Sequence, residues 1–149
     1  MKRNELMTRD DIWNVVIDIL SEADFPTENK VLNEIYMVFQ YYSELESGGH
    51  ESLLTWFTEY IEEVGISAYL KEIVESLEEI GAYDYAVIVN TYGKEMWKLF
   101  VALENSKIEE KQFYTVIEKA DNAYNKLDGK LEELLVVYFV EIHKELIEG

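Results

Sequence analysis

From Val31 the chain places apolar residues at Val31/Leu32, Ile35, Val38/Phe39, Tyr42 and Leu45, alternating three and four apart without a break. That is the period of an α-helix with one buried face; a half-buried strand alternates every second residue. The same spacing recurs along the chain: Ile12, Val15/Val16, Ile19 and Leu20 before it, then Leu53/Leu54, Phe57, Tyr60/Ile61 and Val64. Ile66, Tyr69/Leu70, Ile73/Val74, Leu77 and Ile80 follow, then a segment from Asp84 that continues through Met96 and Phe100 to Glu104. Phe113, Val116/Ile117, Ala120 and Tyr124 form one further stripe, and Leu131 to Ile147 the last. Ala86-Val87-Ile88-Val89 has the branched residues of a strand, but helical spacing flanks it. The expected fold is all-α, a single-domain bundle of about seven helices spanning residues 1–149.

Local signals punctuate these helices. Thr8-Arg9-Asp10-Asp11 and Ser106-Lys107-Ile108-Glu109 read as capping boxes, a hydroxyl three residues before a carboxylate. Phe25-Pro26-Thr27 breaks the chain, and Thr27 is the expected cap of the helix that follows. Ser47-Gly48-Gly49 is expected to stop that helix, because glycine takes the left-handed conformation at helix ends. Gly65 and Gly81 divide the next segments, and Gly93 is expected to end or kink the fifth. The final segment adds Val136, Val137 and Val140 outside its main stripe, so it is expected to be the bundle's central helix or a face of a dimer.

A length of 149 residues with about half of them apolar supports a real core. The absence of cysteine excludes a thiolate nucleophile and cysteine-ligated metal, and suits a reducing cytoplasm. Met1 to Leu6 carries positive charge with no apolar run behind it, so no signal peptide is expected. The longest apolar run, Leu134 to Val140, is seven residues, far short of the ~20 that span a bilayer. With 31 acids against 13 lysines and arginines the net charge is −18. Nucleic acid and anionic membranes repel such a chain, and basic protein surfaces are its natural partners.

The charge is concentrated. Between Val31 and Gly93 there are twelve acids and one fixed base, Lys71, leaving −11. Glu59, Glu62 and Glu63 share a side of one helix, and Glu72, Glu75 and Glu79, with Glu78 alongside, share a side of the next; Asp84 follows. Such rows place carboxylates roughly 4.5–6 Å apart along the axis. A 149-residue domain is ~40 Å across, and duplex DNA of that length carries about 23 phosphates. The protein and a DNA duplex thus have comparable charge density.

Catalytic patterns are missing. Gly48-Gly49 lacks the lysine and hydroxyl of a phosphate-binding loop, and there is no nucleophile elbow. Of the two histidines, His50 is expected to hydrogen-bond locally in a loop, and His143 to sit at the negative end of the last helix. No metal or cofactor site is expected. The 11 tyrosines and 3 tryptophans fall on or beside the apolar stripes and read as core.

The order of these signals resembles a bacterial family of DNA-mimic proteins, otherwise filed as a domain of unknown function. Tyr41-Tyr42-Ser43-Glu44-Leu45-Glu46-Ser47-Gly48-Gly49 matches the family's aromatic helix and Asn-Gly-Gly turn, with Ser47 in place of the asparagine. Leu77-Glu78-Glu79-Ile80-Gly81-Ala82 matches its Leu…Ile-Gly-Ala segment, and Leu127-Asp128 with Leu131 to Ile142 its late helix. Glu51-Ser52-Leu53-Leu54 departs from the usual Gln/aromatic run. The resemblance covers about residues 30–147. It implies an acidic, all-helical, dimeric protein that occupies a DNA-binding protein.

Charge and resemblance together point to a non-enzymatic interaction protein. Its expected partner-binding face is Glu59, Glu62, Glu63, Glu72, Glu75, Glu78, Glu79 and Asp84, and its partner a basic protein such as a transcriptional regulator. Two other readings fit: an immunity or antitoxin-like protein blocking a basic nuclease, and a ligand-binding bundle using the His50 region.

Overall fold

The computed structural model describes residues 8–22, 24–25 and 27–148, with the backbone alone for Arg9 and 143–148. Met1 to Leu6, Pro26 and the side chain of His143 lie outside the described residues. Among the described residues six helices follow in order: α1 (Arg9–Glu22), α2 (Lys30–Val64), α3 (Ile66–Glu79), α4 (Tyr83–Glu104), α5 (Glu110–Asn125) and α6 (Lys130–Glu148). No strand occurs among the described residues, and Ala86 to Val89 are helical. No helix among them is long and apolar enough to cross a membrane.

The count is six because α2 consists of two helical arms joined at a kink in the glycine pair. α2 has 35 residues, and a straight helix of that length would run ~50 Å, longer than the domain is wide. Gly49, at φ 72° and ψ −163°, breaks the helical dihedrals, and the chain resumes in a second arm. The two arms account for the seventh helix expected from the spacing.

α2 is the hub, packing on α3, α5 and α6, while α6 lies mainly along α1. This corrects the expectation of a central α6. Among the described side chains of α6 one stripe is fully buried, Leu131, Leu135 and Phe139, whereas Val137 remains 46% exposed. At the core the rings of Tyr41, Tyr85 and Tyr124, from α2, α4 and α5, meet edge to face with centroids 5.4–6.5 Å apart. The Tyr85 hydroxyl accepts the Leu131 N–H at 2.9 Å, tying α4 to the start of α6.

Helix ends follow hydrogen bonds more finely than pattern. Thr8 and Asp11 form the expected reciprocal box at α1. The cap of α2 is Asn29, whose side chain accepts from Leu32 N–H at 3.1 Å, and not Thr27, whose N–H donates to Asn33 Oδ1 at 2.8 Å. Ser106 begins no helix. It takes a left-handed φ of 58° after α4, and the α5 box is Glu109 with Gln112. Gly93 neither ends nor kinks α4; it is buried where Leu70 of α3 packs on it, and a Cβ there would fall 2.6 Å from Leu70 Cδ2.

Candidate partner-binding face

The second arm of α2 and α3 turn back on each other at Gly65, whose N–H donates to Ile61 O and whose O accepts from Tyr69 N–H. Gly65 has a φ of 91°, in the region that favours glycine, so a single residue reverses the chain. The apolar stripes of both helices face inward and their carboxylates face out. Glu59, Glu62, Glu63, Glu75, Glu78 and Glu79 are exposed and Glu72 is half-buried.

The predicted acids do not form one uniform plane. Glu72, Glu75 and Glu79 line a cleft of about 350 Å³ whose opposite wall is the start of α2: Lys30, Asn33, Glu34 and Met37. Glu59, Glu62 and Glu63 form a ridge on the second arm of α2. Asp84 stands apart at the start of α4, 3.6 Å from Lys130 Nζ. Glu34 was not predicted, because its helix spacing gives no sign that it faces α3.

Crowded carboxylates alter one another. Burial, reinforced by the charge of Glu79, holds the Glu34 carboxyl above its ordinary value; Lys30 draws it down and Glu75 pushes it up. Lys30 Nζ reaches Glu34 at 4.0 Å but is almost fully exposed, so it neutralises little. Glu72 is fixed by a hydrogen bond from the Tyr60 hydroxyl at 2.5 Å. Burial and that carboxylate raise the Tyr60 phenol well above its ordinary range. Two further acids of α2 are held the same way: Tyr114 donates to Glu51 and Tyr124 to Glu46, each at 2.8 Å. Tyr60, Tyr114 and Tyr124 are therefore more than core, since their hydroxyls anchor carboxylates that would otherwise swing freely. Heptad-like spacing shows where a ring is buried, not where its hydroxyl emerges.

Residues 27–143 match the family of DMP19-like proteins. The chain belongs to the DMP19-like family. It is a family of DNA-mimic proteins. No curated protein and no solved structure matches the chain.

In this DMP19-like chain the glycine turn serves the kink. His50 is fully buried and helical, not in a loop, and its partner is distant in sequence. Asp121 of α5 accepts from the His50 N–H at 2.9 Å and from ring Nδ1 at 2.7 Å. A carboxylate only accepts, so Nδ1 carries the proton. Asp121 thus caps the second arm of α2 from another helix. A Cβ on Gly49 would fall 2.5 Å from Asp121 Oδ2, so the capping carboxylate occupies the space a side chain would need. His50 Nε2 and the hydroxyls of Tyr41 and Tyr69 are buried with no hydrogen-bond partner among the described residues. Outside the kink lies a polar groove of about 190 Å³, lined by Glu46, Ser47, Gly48, Gly49, Asp121, Tyr124 and Asn125. The His50 ring does not line it. No group of three metal-binding side chains occurs among the described residues.

Proposed function

We propose that the protein acts without catalysis, presenting the carboxylates of the second arm of α2 and of α3 to the DNA-binding surface of a basic protein in the cytoplasm. A transcriptional regulator is the partner class this reading favours. The observation that carries it is the meeting of Glu72, Glu75 and Glu79 with Glu34 around one cleft, in a chain of a DNA-mimic family. Each carboxylate stands for a phosphate, and binding releases the counterions of both surfaces, as in protein–DNA association. The tyrosine hydroxyl on Glu72 lowers the entropy lost on binding by holding the charge in place beforehand.

The test is capture from the native host's lysate at low salt, followed by elution with duplex DNA. A DNA-binding protein should be released, and the triple variant Glu72→Lys, Glu75→Lys, Glu79→Lys should capture none of it while keeping its helical circular dichroism. Undiminished capture by the triple variant would move the binding face elsewhere. Release of a nuclease instead of a regulator would favour the immunity reading of the same face. We also infer that two copies pair through the outer side of α6, where Val137 stays exposed. Val137→Lys should then convert a dimer to a monomer in analytical ultracentrifugation.

A further inference from the structure

The three tryptophans occupy different environments. Trp13 packs among Phe39, Tyr42 and Phe139, and Trp97 stacks on Phe100 at 5.5 Å. Trp56 is 54% exposed and has no ring partner among the described residues. It lies on the acidic ridge. Glu59 and Glu63 follow at three and seven residues, on the same side of the second arm of α2 and both exposed. They stand ~4.5 and ~10 Å along the axis from it. Tyr60, one turn on from Trp56, is the residue that anchors Glu72 in the cleft. The indole therefore lies on the ridge that leads into the cleft.

A face that is acidic only for hydration has no use for an exposed indole. Wetting a side chain that could bury 150–250 Å² is unfavourable, and tryptophans left at surfaces concentrate where partners cover them. The kind of partner follows from the flanking charge. A guanidinium is planar and weakly hydrated: it stacks on an indole and still forks onto a carboxylate beside it. An ammonium is a compact, strongly hydrated charge that gains less from the ring.

Resting on the acidic-face reading above, we propose that Trp56, flanked by Glu59 and Glu63, seats an arginine side chain of the basic partner. The arginine stacks on the indole and donates to one of the two carboxylates. Charge attracts any basic surface to the face, and Trp56 selects arginine over lysine there.

The probes are hexa-arginine and hexa-lysine peptides of equal charge, measured by calorimetry in 20 mM and 150 mM NaCl. Wild-type protein should bind hexa-arginine about 3–30-fold more tightly than hexa-lysine, the range that a cation–π contact supplies. Trp56→Ala should bring the ratio near one while hexa-lysine affinity stays within about twofold. Trp56→Phe, which keeps a ring, should retain part of the preference. Since stacking is screened less than charge, the preference should persist at the higher salt as both affinities fall. Equal binding of the two peptides, or a preference unchanged in Trp56→Ala, overturns the role of Trp56 and leaves the acidic face standing. Failure of both peptides to bind wild-type protein overturns the acidic face and this proposal with it.

Discussion

Single residues carry the geometry of this face because several of them satisfy two demands at once. Gly49 must take a φ of 72° and must also leave room for Asp121, which caps the arm beginning at His50. Gly49→Ala violates both demands, with a backbone strain of about 1–2 kcal/mol, since φ 72° with ψ −163° is open essentially to glycine, and a displaced cap worth about 1 kcal/mol. The expected loss is ~2–3 kcal/mol in urea unfolding; an unchanged midpoint would show that the kink tolerates a side chain. Glu34 makes the opposite prediction. Its folded pKa is raised by burial and Glu79, so the folded state holds that proton more tightly than the unfolded chain does. Ionised Glu34 therefore costs stability above the raised value, and the cost vanishes below the unfolded one. Glu34→Gln should melt ~1–2 °C higher than wild type at pH 7, as expected for ~0.5 kcal/mol in a domain of this size. The gain should be absent at about pH 3.5. A gain independent of pH would assign it to shape instead of charge.

At the scale of helices, the ends are where substitution is most informative. Ser106 adopts a left-handed φ of 58° at an exposed position after α4, a conformation glycine adopts without steric cost. Ser106→Gly should stabilise the fold by ~0.5–1 kcal/mol, raising the midpoint of thermal unfolding by a few degrees. A serine read as the start of α5 would predict a loss instead, since removing a cap destabilises. This position also shows what sequence pattern resolves. The apolar stripes gave every helix, because burying one face is a local, periodic demand. The caps of α2 and α5 were misplaced because several polar residues compete there and hydrogen bonds decide: Thr27 is engaged by Asn33, leaving the cap to Asn29. Gly48-Gly49 was read as a stop and Gly49 does break the helix there, but nothing nearby in sequence announces Asp121, which caps the arm that follows. The same limit applies to the candidate site. Glu72, Glu75 and Glu79 share a helix face and could be read together, whereas Glu34 joins them only through the packing of α2 on α3.

Taken whole, the molecule is under electrostatic tension. It carries −18, yet the lysine–carboxylate pairs among the described residues are Lys30–Glu34 and Lys130–Asp84, both with exposed lysines. Self-repulsion of this kind weakens a compact state, and salt relieves it as the screening length shrinks from ~30 Å at 0.01 M to ~10 Å at 0.1 M. The melting temperature should therefore rise between 10 mM and 300 mM NaCl. Partner binding should run the other way. Counterion release costs more as salt rises, so an interface that neutralises several carboxylates loses affinity steeply over that range. One titration read twice, by thermal melting and by binding, should give slopes of opposite sign. A fold that strengthens while binding is indifferent to salt would mean the partner is held by apolar contact, and the carboxylates of α2 and α3 would then serve hydration alone. Opposite slopes, both flattened in the Glu72→Lys, Glu75→Lys, Glu79→Lys variant, would locate repulsion and recognition in the same residues: the charges that oppose folding are those the partner neutralises.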